Sequence, residues 1–251
     1  ALERFLQCSD CSPADLSRLT SCKSPSSRAW LSLHPKATPL TDLHFSVALR
    51  LRLGLSPLSY PIPDTCPLCH RTQRDPWHPF ACSSVRRRAI TSRHDQGMNL
   101  FCSFARSNSV TARLEPKDDG ALVPDAELIL STGPVLTDLS GVWPLAPSHL
   151  ASHPLPGAAM NQRAHDKGNK YRDHAARLNS RFVPLIVDAF GCMHKDFISL
   201  IAEVENEGNQ LDFYPSTTRM SAPTFTSIFS TRWQADNARI VYQWLNLCRS
   251  R

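Results

Sequence analysis

Four potential metal ligands crowd into seventeen residues of this chain: Cys66, Cys69, His78 and Cys82, in the order C-x2-C-x8-H-x3-C. A two-residue gap lets both thiolates of a tight turn reach one ion, and an H-x3-C pair fits a single helical turn. A closed site of soft and borderline ligands predicts a structural zinc. That ion would supply folding free energy on the order of 10 kcal/mol to a segment too small for a core of its own. His70 competes with His78 for the imidazole position. A Cys8/Cys11 pair with Cys22 further on has half the spacing of a second site, but no matching pair follows. Nine cysteines would permit disulfides in a secreted chain. The first thirty residues, however, break every apolar stretch with Glu3, Arg4, Asp10, Asp15 and Arg18, which does not read as a secretory signal. No eighteen-residue apolar run exists to form a membrane span, so an intracellular protein is expected. The start at Ala1 reads as a piece of a longer polypeptide.

A hydrophobic content of 41% with 20% charged residues excludes wholesale disorder. Lys and Arg total 28 against 22 Asp and Glu, a net charge of +6, which favours a polyanionic partner. The densest basic run is Arg86, Arg87 and Arg88, and guanidinium forks suit phosphate. Along the chain, residues 1–60 read as a helical, partly irregular segment with helices over Pro13–Leu19 and Asp42–Leu53. The zinc knuckle occupies 61–92, and an α/β domain fills 93–251. Within that domain a helix is expected from Ser83 to Phe104. Strands follow over Ala121–Leu130 and Val135–Val142, then a polar helix over Ala158–Leu178, a buried strand over Phe182–Phe190 and two closing helices. The fold class is α/β, a small sheet flanked by helices.

Pro124-Asp125 and Asp138 fall on neighbouring strands, where two carboxylates can converge on a hard cation such as Mg²⁺. Lys167 and Lys170, three apart, project from one face of the following helix. An ammonium group there would stabilise charge building on a phosphate.

The order Cys66-x2-Cys69-x8-His78-x3-Cys82, Arg93-His94-Asp95, Pro124-Asp125-x12-Asp138, Lys167-x2-Lys170-Tyr171 resembles the C-terminal end of non-LTR retrotransposon polyproteins. There a cysteine-histidine knuckle follows a reverse transcriptase and a restriction-like PD-(D/E)xK endonuclease comes last. Phe45 to Leu55, Leu114-Glu115-Pro116 and Phe182 to Gly191 extend the similarity, which runs from about residue 29 to the end. The resemblance implies a restriction-endonuclease-like sheet and a nuclear, Mg²⁺-dependent DNA endonuclease that nicks its target to prime reverse transcription. DNA is the implied partner, and retroelement RNA a second one. Asp125 and Asp138 would be the metal carboxylates, Lys167 or Lys170 the catalytic lysine, and Glu115 a contributor to a second metal. Arg86, Arg87, Arg88, Arg93 and Tyr171 would contact nucleic acid. The chain departs from the family at Val123, where a basic residue usually stands, and at Ser140, the place of the lysine in ordinary PD-(D/E)xK nucleases. A non-catalytic zinc-dependent nucleic-acid-binding module and a decayed retroelement remnant are the alternatives.

Overall fold

The computed structural model describes residues 11–32, 35–57, 64–72, 77–85, 89–116, 122–152, 155–210 and 219–250. Arg86, Arg87, Arg88 and Cys8 lie outside these residues.

The N-terminal part contains α1 (Pro13–Lys23) and α2 (Asp42–Leu53), joined through short turns at Pro25–Arg28 and Ala29–Leu31. Both long helices begin on a hydroxyl cap: Ser12 Oγ accepts from Asp15 N, and Thr41 Oγ1 from His44 N. Gly54, at φ 72°, ends α2 in the left-handed conformation that a side chain would disfavour. The central unit runs α3 (Thr91–Ser107), β1 (Thr111–Leu114), β2 (Ala126–Leu130), β3 (Gly133–Val142), α4 (Ala158–Arg177), β4 (Arg181–Asp188), α5 (Lys195–Gln210) and α6 (Ala222–Arg249). The sheet order is β1-β2-β3-β4. The first two pairings are antiparallel, while β3 and β4 are parallel and joined across α4, as a parallel pair requires.

Alternation along the strands sends side chains to two differently covered faces. Val135 and Leu139 of β3 and Val183, Leu185 and Val187 of β4 join a core built from α3, α5 and α6, with Phe101, Phe197, Phe225 and Phe229 at its centre. Val142 and Ile186 point the other way, onto Met160 and Ala164 of α4. Asp138 and Ser140 share that second face, so the strand carries its polar pair towards α4.

The expected fold class holds: a mixed sheet of four strands flanked by helices. Strand β1 is an addition. The turn-rich composition after Asn108 hides it, and as an edge strand it buries only Ala112. Helix α3 starts at Thr91, later than the expected Ser83. His78 lies in a 3-10 turn, His78–Phe80, rather than in an α-helical turn. The knuckle does not stand apart from the rest: Cys66, Leu68, Trp77, Phe80 and Cys82 share one hydrophobic cluster with Val47 and Leu51 of α2, Trp143, Phe190, and Ile240, Val241 and Trp244 of α6.

Candidate active site and metal centre

The knuckle ligands converge. One donor atom from each of Cys66, Cys69, His78 and Cys82 lies within 4.8 Å of all the others. Cys66 Sγ and Cys82 Sγ are 3.9 Å apart, and Cys69 Sγ is 3.3 Å from His78 Nε2. Tetrahedral zinc with Zn–S bonds of about 2.3 Å has ligand–ligand edges of ~3.8 Å, so the arrangement fits such an ion and could hold a metal of that kind. His70 is exposed, at φ 57°, and outside the cluster; the geometry selects His78. Cys22 also lies elsewhere, buried beside Arg52 O. The turn that presents the first two thiols closes through His70 N to Cys66 O and Cys66 N to Arg71 O. Trp244 Nε1 donates to Cys66 Sγ at 3.4 Å, tying the cluster to α6. Burial works against the Cys66 thiolate, but N–H donors from Cys69, Trp244 and Leu68 outweigh it and hold the thiol below its usual pKa. Cys82 is pushed up to about 12 by burial and by the neighbouring thiols.

The second centre lies where β2 begins and β3 passes α4. Helix α4 presents Arg163, Lys167 and Tyr171 at successive four-residue steps, which stack on one face. Lys167 Nζ meets Asp138 Oδ1 at 2.5 Å. Tyr171, 1% exposed and stacked on Phe182, places its hydroxyl 2.8 Å from Asp138 Oδ2 and 3.1 Å from Val123 O. Burial and the Asp138 carboxylate push the Tyr171 phenol above its usual range, so it stays protonated and serves as a hydrogen-bond donor. Lys170 does not reach Asp138. Its Nζ is 3.2 Å from Tyr171 Oη. Of the two candidate lysines, Lys167 is the one paired with the strand carboxylate.

Asp125 sits one residue before the Ala126↔Thr137 pair, and Asp138 one residue after it on the partner strand. Asp125 Oδ2 accepts from Leu139 N at 2.6 Å, the amide that follows Asp138, and from His94 Nε2 at 2.8 Å. The hydrogen bond to Asp125 raises the His94 pKa to about 9, so the imidazole is charged at neutral pH. Asp125 Oδ1 has no hydrogen bond among the described residues, on a carboxylate 20% exposed. Hard carboxylate oxygens of this type suit Mg²⁺, which takes one or two carboxylates and completes its shell with water or phosphate oxygens. Glu115 reaches the centre only through its backbone, donating N–H to Asp125 O.

Arg93, expected at a phosphate, is largely buried. It lies 4.3 Å over the Trp233 ring and donates Nη1–H to Asn237 Oδ1 at 2.7 Å. Sequence reasoning missed three participants. His94 was legible only as part of the Arg93-His94-Asp95 string, Arg163 only from its four-residue spacing to Lys167, and the Val123 carbonyl not at all. An open cleft of about 830 Å³ runs beside this centre, between the knuckle, the start of α3, the end of β3 and the first turns of α4.

Set against known proteins, the chain matches no family model and no curated protein. No helix among the described residues is long and apolar enough to cross a membrane.

Proposed function

We propose that this chain is a metal-dependent DNA endonuclease module of a retroelement of the non-LTR type, acting in the nucleus, with a zinc-bound knuckle as part of its framework. The observation that carries the reading is the contact of Lys167 Nζ with the Asp138 carboxylate across from α4 to β3, beside Asp125 at the head of β2. Two carboxylates from neighbouring strands and an ammonium group on one polar edge form a set suited to phosphodiester hydrolysis.

Asp125 and Asp138 would hold a magnesium ion, which when bound supplies Lewis-acid charge for the phosphate and a more acidic water. The chain's own groups do the rest. Tyr171 orients the Asp138 carboxylate through its hydroxyl. Lys167 pairs with that carboxylate and offers its positive charge to the phosphate as charge builds there. The His94 imidazolium and Leu139 N fix Asp125. Lysine delivered from α4 takes the place of the absent strand lysine, since Ser140 stands two residues after Asp138.

The test is nicking of supercoiled DNA by zinc-loaded protein with Mg²⁺, beside Asp125→Ala. Mg²⁺-dependent nicking that the variant loses supports the reading; equal activity in the variant, or none in either, refutes it. A second reading, a zinc-dependent nucleic-acid-binding module on an inactive nuclease scaffold, draws on the fact that Asp138 is engaged by Lys167 and Tyr171, and Asp125 by His94 and Leu139 N. It predicts salt-sensitive DNA binding that survives Asp125→Ala and falls on Cys82→Ala.

A further inference from the structure

The cleft beside the carboxylates is lined by three arginines, Arg71, Arg93 and Arg163, against a single carboxylate, Asp166. Asp166 is already engaged: Gln162 Nε2 donates to its Oδ1 at 2.7 Å. Neither Arg93 nor Arg163 has a carboxylate within 4.0 Å among the described residues. Arg93 is 7% exposed, and its Nε has no hydrogen-bond partner among the described residues. The carboxylate that acts on it, Asp236 of α6, is itself ion-paired with Arg232 and Arg239, so the cleft keeps an excess of positive charge, and buried charges are normally paired.

The two arginines are aimed by adjacent residues of β3. Arg163 Nε donates to Ser140 Oγ at 3.1 Å, which draws its fork from α4 over the strand. On the other side of the strand Arg93 packs against Gly141 so closely that a Cβ there would lie 2.3 Å from Nη2. Asn237, held in turn by Ala189 O, fixes the far end of Arg93. Ser140 and Gly141 lie two and three residues beyond Asp138, and both arginines line the cleft at this end of the strand.

We propose that Arg163 seats a backbone phosphodiester of a polynucleotide in this cleft, next to the phosphate offered to Asp125 and Asp138, with the buried Arg93 adding positive charge from behind the Ser140–Gly141 step. Arg163 is a substrate-positioning residue: its fork grips a phosphate bidentately, and Ser140 sets its direction. The inference rests on the nucleic-acid reading above, but it concerns binding rather than cleavage.

Magnesium-free fluorescence anisotropy with a labelled DNA duplex over a salt series tests it, using wild type, Arg163→Gln, Arg163→Lys and Arg172→Gln. Arg172 is an exposed arginine of the same helix outside the cleft. The expected result is roughly five- to tenfold weaker binding for Arg163→Gln and a salt slope smaller by about 0.9, the share of one phosphate on B-form DNA. Arg163→Lys should keep the slope and lose part of the affinity, and Arg172→Gln should stay near wild type. Equal effects of Arg163→Gln and Arg172→Gln, or no duplex binding by wild type, overturn the proposal. Inorganic phosphate is the second probe: if it raises the melting temperature of wild type but not of Arg163→Gln, and no duplex binds, the cleft takes small anions and the polynucleotide assignment is wrong. Arg163-dependent binding with no nicking under any condition would refute the nuclease reading and leave this one standing.

Discussion

Lys167 and Asp138 form an ion pair with side chains 16% and 7% exposed, so removing either partner strands a largely buried charge. Breaking such a pair costs about 3 kcal/mol or more. Lys167→Ala should therefore lower the unfolding free energy read from urea curves by that order, while Lys170→Ala, whose amine touches only Tyr171 among the described residues, should change stability by about 0.5 kcal/mol or less. Equal losses would mean that the two lysines are equivalent. Asp188 gives a pH-dependent counterpart. Buried at the end of β4, it is raised by burial from 3.8 to about 6, even with Ser21 and the N–H groups of Cys192 and Phe190 beside it. The Cys22 and Cys192 thiols also face it. Below 3.8 the carboxyl is protonated in both folded and unfolded chains. Between 3.8 and 6 the unfolded chain ionises first, so stability falls as pH rises, and the loss is complete above about 6. Asp188→Asn keeps an acceptor for Phe190 N and Cys192 N. It should be more stable than wild type by on the order of 2–3 kcal/mol at pH 7 and equal to it near pH 3. Denaturant curves at both pH values check this, and a pH-independent difference would contradict it.

Strand β3 does most of the organising. One face closes the aromatic core, the other carries Asp138 and Ser140, and Gly141 leaves room for Arg93. Gly141→Ala should cost about 1–3 kcal/mol by overpacking, with Arg93 displaced from Trp233; unchanged stability would show that Arg93 is free to move. The elements were largely legible in the sequence. Helix α2 falls on Asp42–Leu53 as expected because Thr41 and Gly54 mark its ends, and β4 because its apolar run is continuous. Helix α4 was legible from its polarity and length. What a one-dimensional pattern lacks is the match of helix phase to strand face. Lys167 and Lys170 look equivalent three residues apart, and only the packing of α4 on β3 and β4 turns Lys167 towards Asp138. Arg163 was hidden for the same reason among the polar residues of α4. His94 was hidden because its partner lies thirty-one residues on, across the α3–β2 junction.

The knuckle, α2 and the last turns of α6 are joined through one cluster. Trp77 stacks on Phe80, both approach Trp143, and Trp244 reaches from α6 to Cys66. The ligand spacing announced the Cys/His cluster, but its tie to the remaining chain was not visible, since Trp244 follows Cys66 by 178 residues. If the cluster holds zinc as proposed, a chelator should therefore lower the melting temperature of the whole chain in one transition and alter tryptophan fluorescence. A knuckle that melts separately, with the remaining transition unmoved, would contradict this coupling.

In the proposed nuclease Lys167 and Asp138 act together at the scissile phosphate, and the rate of Mg²⁺-dependent nicking of supercoiled DNA by Lys167→Ala and Lys170→Ala beside wild type tests this head-on. The predicted result is a loss of about a hundredfold or more for Lys167→Ala with Lys170→Ala near wild type. Nicking by Lys167→Ala at the wild-type rate, or a wild-type protein that nicks nothing, would contradict it.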